Sequence, residues 1–432
     1  MQSISDLKTL LVFLLFHACA SAEPWTMDGD KPIPGTFLGL EKGKMVFELG
    51  DKRRAALDLS RLSPESLEDL RKWHSGKTSS TALLAPPRWS ARDGVRAIAI
   101  ETKSKGPEKW IFETPHFIFE LDAPVDSAAF RKLAMIAEAT FNRVNSLPVR
   151  IPPAPPEKNR ILVFNEQDAY LKAGGNNTSA ARFLGNRGNS RGAVIASFES
   201  FGLKAPDENR RLATGEASRL LVHEIGHQLV AEAMPFLPTW LNEGFAEYVA
   251  LVPCTNGVFE SSPAQRLAAI RNRIDHYKRM DLEWFGIPPF LESKAGGGKN
   301  AGSDLADWLV PLEELLGNPR LIDESLRTGD SLTLHRAYLT SMLLTHYFFH
   351  FEGDRQGRNI RAYFETAVDL NEILMRRPPL VTRVKTPKTR SEFDAVIEDM
   401  RDDFIGGRTH RGIQDDMVIQ YAKAGIPLPF PP

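Results

Sequence analysis

His223-Glu224-Ile225-Gly226-His227, followed after a short spacer by Trp240-Leu241-Asn242-Glu243-Gly244-Phe245-Ala246-Glu247, is the stretch from which the rest of this chain is read. Leu212 to Ala233 contains no proline and sets Leu220, Leu221, Ile225, Leu229 and Val230 around one side, so a helix is predicted there. On that helix His223 and His227 stand one turn apart, about 6 Å along the axis and about 40° around it, a separation that two Zn–N bonds near 2 Å bridge. Glu224 sits beside the pair and can take a proton from an activated water without being a ligand itself. Proline at 235 should stop this helix, and Pro238-Thr239 should start a second, on which Glu243 and Glu247 are again one turn apart. A structural zinc site prefers cysteine, whereas three protein ligands with an open fourth position suit catalysis, so His223, His227 and Glu243 are the expected Zn2+ ligands. Glu247 is placed to accept the free ring N–H of a ligating histidine, taken as His223. Gly226 inside a helix costs up to about 1 kcal/mol relative to alanine, which points to close packing against another element.

The pair H-E-I-G-H and W-L-N-E-G-F-A-E-Y resembles the gluzincin metallopeptidases, and is most similar to the peptidase-MA-like exported bacterial proteins. The resemblance covers about residues 110 to 370. It implies an α+β chain with a zincin-type catalytic domain: a small mixed sheet, the motif helix and a mostly helical C-terminal lobe. It also implies peptide-bond hydrolysis with Glu224 as general base, and it matches the strand Ala193 to Ser197 to the edge strand on which such enzymes align a peptide. Zincins stabilise the oxyanion with a Tyr or His outside the motif, and Tyr338, in Arg336-Ala337-Tyr338, is the candidate, with His346 and Tyr347 as alternates. The exopeptidase signature G-x-M-E-N is absent from the sequence.

The rest of the chain supplies context. With 432 residues, two or three domains are expected. The formal net charge of -1 leaves no global field for nucleic acid or an anionic membrane surface. Lys8, the apolar run Leu10 to Phe16 and Ala20-Ser21-Ala22 read as an export signal over residues 1–22, so a periplasmic or extracellular location is expected. After its removal Cys254 is the remaining cysteine and no internal disulfide can form, nor is there a run long enough to span a membrane. Residues 23–75, with glycines punctuating short alternating segments and a helix opening at Ser63-Pro64-Glu65-Ser66, resemble a small all-β SH3-like barrel, a docking module for an envelope or protein partner.

A Ser-, Pro- and Lys-rich linker over 76–107 follows, holding one expected strand from Val95 to Ile100. A zinc-binding α+β lobe is expected over 108–290 and a helical C-terminal lobe over 291–432. In these, helices are predicted over Ala264 to Arg279, Leu305 to Leu316, Arg336 to Phe351, Asn359 to Val368 and Ser391 to Met400, with a glycine-rich loop at Lys294 to Asn300 and an extended proline-rich arm at the end. Two other functions compete with a peptidase acting on peptide or protein substrates: a catalytically silent zincin-fold binding protein, and a structural envelope protein tethered by its N-terminal module.

Overall fold

The computed structural model describes residues 26–27, 31–32, 36–41, 44–50, 52–58, 92–106, 109–149, 158–175, 181–185, 192–198, 201, 216–279, 305–353, 355–375, 400–402 and 404–431. The expected export signal, the helix opening at Ser63, the loop Lys294 to Asn300 and most of the helix expected from Ser391 lie outside the described residues. The chain divides into two compact units, Met1–Leu84 with Glu372–Arg383, and Ala85–Asn371 with Val384–Pro432.

In the first unit, β1 (Thr26–Met27) and β2 (Lys31–Pro32) pair antiparallel. β3 (Thr36–Glu41), β4 (Lys44–Glu48) and β5 (Arg54–Asp58) form an antiparallel meander, with a register shift between Phe37 and Gly39. Phe47 is buried on β4, and Lys52 takes the left-handed conformation, φ 63°, in the turn to β5. The glycine-punctuated alternation of the sequence therefore does make short antiparallel strands.

The second unit is built on a mixed six-stranded sheet in the order β11-β12-β10-β9-β8-β7. β7 (Glu101–Lys105), β8 (Trp110–Glu113) and β9 (Phe117–Leu121) run antiparallel, while β9, β10 (Asn159–Phe164) and β12 (Ala193–Ser197) are parallel. β11 (Ala181–Leu184) returns antiparallel at the edge. This overturns the expectation that Ala193 to Ser197 is the edge strand. Every residue of β12 is buried, as an apolar run covered on both faces should be, and β11 shields it. A shorter sheet pairs β13 (Cys254–Thr255), β14 (Val258–Glu260) and β6 (Arg92–Gly94). Residues 95–100, expected as a strand, instead connect β6 to β7 without regular structure. Cys254 is half-buried, and burial pushes its thiol up to about 12.

Helix α1 (Ser127–Ser146) starts where Asp126 accepts the N–H groups of Ala128 and Ala129, and lays its apolar face on the sheet. Phe130 meets Phe112 at 4.3 Å between ring centroids and Phe119 edge-on at 5.2 Å. A single turn, α2 (Gln167–Lys172), buries Tyr170. The motif lies on α3 (Glu216–Leu229) and the second acidic stretch on α4 (Thr239–Val249), which begins directly after Pro238 as the sequence predicts. α5 (Pro263–Arg279) also falls where expected. The helix predicted from Leu305 to Leu316 is broken into a 3-10 turn, Leu305–Trp308, and α6 (Leu312–Gly317), because Pro311 between them, at φ -54° and ψ 139°, cannot continue a helix. α7 (Leu321–Thr328) follows. α8 (Ser331–His350) starts earlier than its periodicity suggested, capped by Asp330 on the Thr333 N–H, and α9 (Arg358–Met375) runs further. α10 (His410–Lys423) leads into the extended arm, where Ile426 and Leu428 are buried and Pro427 and Pro429 exposed. No helix among the described residues is long and apolar enough to cross a membrane.

Candidate metal centre

Helices α3 and α4 bring the three expected ligands together. His223 Nε2 lies 3.1 Å from His227 Nε2, and Glu243 Oε2 lies 3.3 Å from the first and 3.5 Å from the second. Around a tetrahedral ion with bonds of about 2.0–2.1 Å, ligand atoms sit about 3.3 Å apart, so this nitrogen, nitrogen, oxygen triangle could hold a zinc-sized ion and leave a fourth position. Both imidazoles are buried, and the Glu243 side chain is 15% exposed. Among the described residues this is the one cluster of three such side chains close enough to share an ion.

Each imidazole is held from behind. His223 Nδ1 is 3.1 Å from Glu247 Oε1, and His227 Nδ1 is 3.1 Å from Asn242 Oδ1. Both acceptors are oxygens, so the Nδ1 positions carry protons and Nε2 is the atom each ring would offer to a metal. Glu247 is itself gripped by Arg219, whose Nη1 lies 3.0 and 2.9 Å from its two oxygens, and by Arg273 Nη2 at 3.4 Å. Burial alone would raise the Glu247 carboxyl, but Arg219, Arg273 and His223 hold it well below the usual range. Burial likewise disfavours charge on His223, yet Glu243 and then Glu247 outweigh it and raise His223 to about 10. Glu243 is held below the ordinary carboxylate range by the two histidines against the opposing effect of burial. The centre therefore concentrates negative charge where a cation fits, with a proton on His223 standing in for it.

Glu224 lies beside the triangle on α3, buried, and its Oε2 accepts a 2.6 Å hydrogen bond from the Phe183 N–H of β11. α8 packs against α4 so closely that a Cβ on Gly244 would lie 2.5 Å from both the Ser341 carbonyl oxygen and Thr345 Oγ1. Tyr338 stands on the same helix, one turn before Ser341. Burial, then the charges of Glu243, Glu247 and Glu224, hold its phenol well above the usual value, which keeps it a hydrogen-bond donor. The two alternates face elsewhere: His346 Nδ1 pairs with the Tyr421 hydroxyl at 2.9 Å, and Tyr347 donates to Asp416. Gly226 is less constrained than its sequence position suggested, since a Cβ there would meet Ala246 Cα at 3.4 Å, an ordinary contact.

With this geometry in place, the comparisons add no name: the sequence matches no family model and no curated protein. The centre is therefore argued from its own atoms. Sequence reasoning missed Asn242, Arg219, Arg273 and the Phe183 amide. Asn242 directly precedes Glu243, and Arg219 is one turn before His223, so helical spacing could have suggested both. Arg273 and Phe183 come from elements whose approach only packing decides.

Proposed function

We propose that this chain is an exported zinc metallopeptidase of the gluzincin kind, with a zincin-type catalytic domain and an SH3-like N-terminal module that docks an envelope or protein partner. The observation that carries this reading is the near-equilateral triangle of His223, His227 and Glu243, with the second nitrogen of each histidine bonded to Glu247 or Asn242. A metal site used only for structure has little need of a carboxylate such as Glu224 beside an open position.

His223, His227 and Glu243 would hold the zinc ion, which when bound supplies an electrophile that makes water acidic and polarises a carbonyl oxygen. Glu224 removes the proton from the attacking water and delivers it to the leaving amine. Its Oε2 is occupied by the Phe183 amide, so Oε1 is the oxygen that serves as base. The Tyr338 hydroxyl, kept protonated by burial and by its acidic neighbours, donates a hydrogen bond to the oxyanion that develops on the substrate carbonyl. Glu247, fixed by Arg219 and Arg273, keeps His223 in the tautomer that presents Nε2.

The test is direct. Metal analysis of the purified chain should find about one zinc per chain, and casein or fluorogenic peptides should be cleaved, with activity lost to a chelator and restored by zinc. Glu224→Gln should keep the metal and lose cleavage. A chain that binds no zinc, or a Glu224→Gln variant as active as the parent, would overturn the proposal.

A further inference from the structure

Glu224 has a partner that the sequence gives no hint of. It is a buried carboxylate, and among the described residues its one hydrogen bond is the 2.6 Å contact from the Phe183 backbone N–H. Phe183 lies at the middle of β11, the edge strand, opposite Val194 of β12. Backbone groups of an antiparallel strand alternate sides, and this N–H points away from the ladder toward α3. An amide carries one proton, so while Glu224 holds it, it is not available to the carbonyl of a bound peptide.

The strand is also fixed in place. Gly192, just before β12, leaves no room for a Cβ, which would fall 2.6 Å from the Phe183 ring and closer still to the Leu184 carbonyl oxygen. β11 is therefore pressed onto β12 at the residue whose amide meets the base. A strand amide has no rotamer freedom to lose, unlike a lysine or arginine donor, and adds no net charge beside a metal centre.

We propose that the Phe183 backbone amide is the positioning group for Glu224. It fixes Oε2, stops rotation of the carboxylate, and leaves Oε1 as the oxygen that meets the water. This rests on the peptidase reading given above. It assigns the edge-strand amide to the base rather than to the substrate.

The experiment compares Phe183→Pro with Phe183→Ala in the full chain. Both remove the ring, but proline also removes the N–H, at an edge position where the ladder does not use it. Both variants should bind zinc as the parent does. Phe183→Pro should show a kcat about tenfold below that of Phe183→Ala, a fraction of what a general base contributes, with the same KM. The pair should also differ in urea midpoint, and that difference should shrink when both are remade in a Glu224→Ala background, because the N–H then has no partner to lose while the backbone effects of proline remain; an undiminished difference would overturn the proposal.

A raised KM with kcat intact would make the amide a substrate contact and overturn the proposal. Equal kcat values would overturn it, as would loss of zinc in Phe183→Pro alone, which would make the strand merely structural. If the parent chain binds no zinc and cleaves nothing, the peptidase reading fails first. A midpoint difference that still shrinks with Glu224→Ala would then mark the bond as a structural contact only, and the positioning role would fall with that reading.

Discussion

Replacing Gly244 by alanine tests how packing builds the metal centre. The added methyl would lie 2.5 Å from the Ser341 carbonyl oxygen and Thr345 Oγ1, and 2.8 Å from the Ser341 carbonyl carbon. Carbon–oxygen contacts between packed helices settle near 3.3–3.6 Å, so α4 and α8 must part by about 0.8 Å or more. Most of the obstruction is backbone and cannot rotate away. Overpacking of this kind costs about 1–3 kcal/mol, and the better helix propensity of alanine offsets about 1 kcal/mol. Contacts this short put the overpacking at the upper end of that range, so a net loss of about 2 kcal/mol is expected, or roughly 3 °C in melting temperature for a unit of this size at about 2.1 cal/mol/K of unfolding entropy per residue.

The neighbouring Glu243 moves with α4, while zinc-site distances tolerate only about ±0.2 Å, so zinc affinity should fall about tenfold or more. Gly226→Ala is the internal control. Its Cβ would sit 3.4 Å from Ala246 Cα, so stability should hold or rise by up to about 1 kcal/mol with zinc binding kept. Thermal melts and chelator competition read both effects. The reasoning is refuted if Gly244→Ala melts and binds zinc like the parent, or if Gly226→Ala falls as far.

Two further outcomes follow from named groups. Tyr338→Phe removes the proposed oxyanion donor and nothing from the ligand triangle, so kcat on a fluorogenic peptide should drop about a hundredfold, in line with about 3 kcal/mol for one good donor, with KM and zinc content unchanged. A Tyr338→Phe variant with full kcat would return the residue to an ordinary packing role. Folding stability should also fall steeply in mild acid. Burial holds His335 down to about 4, His346 down to about 3 and His350 well below its usual value, so these three stay neutral in the folded chain while the unfolded chain takes up protons below about pH 6.5. At pH 5.5 each should therefore withhold about 1.4 kcal/mol, about 4 kcal/mol together, relative to pH 7.5. Urea unfolding at the two pH values measures this, less about 1.4 kcal/mol of opposite sign from His223, which is held up to about 10, and His346→Gln should reduce the difference by about 1.4 kcal/mol.

The candidate cluster of His223, His227 and Glu243 was legible because it is local. His223 with His227, and Glu243 with Glu247, are each one turn apart on a helix, so spacing alone put each pair on one face, although the first helix stops at Leu229 rather than at Pro235. The α+β character and the short N-terminal strands were legible for a similar reason, since alternation and helical period show in the chain itself. Pro311 was equally visible and its effect was under-read, as a periodic apolar pattern was followed across it.

The edge strand was not legible. Ala181–Leu184 is four residues long, between segments rich in glycine and asparagine, and its partner Ala193–Ser197 was the more conspicuous apolar run. Which of two neighbouring strands lies outermost depends on pairing order, and no local pattern encodes that. The same holds for Arg273 on Glu247, for the Phe183 amide on Glu224, and for the α4–α8 approach at Gly244. By itself, then, the sequence determined which side chains gather at the candidate site, because residues one helical turn apart meet without help from the rest of the chain. Only the tertiary structure decided what orients them, because those partners arrive from strands and helices far away in sequence, where packing rather than spacing sets who meets whom.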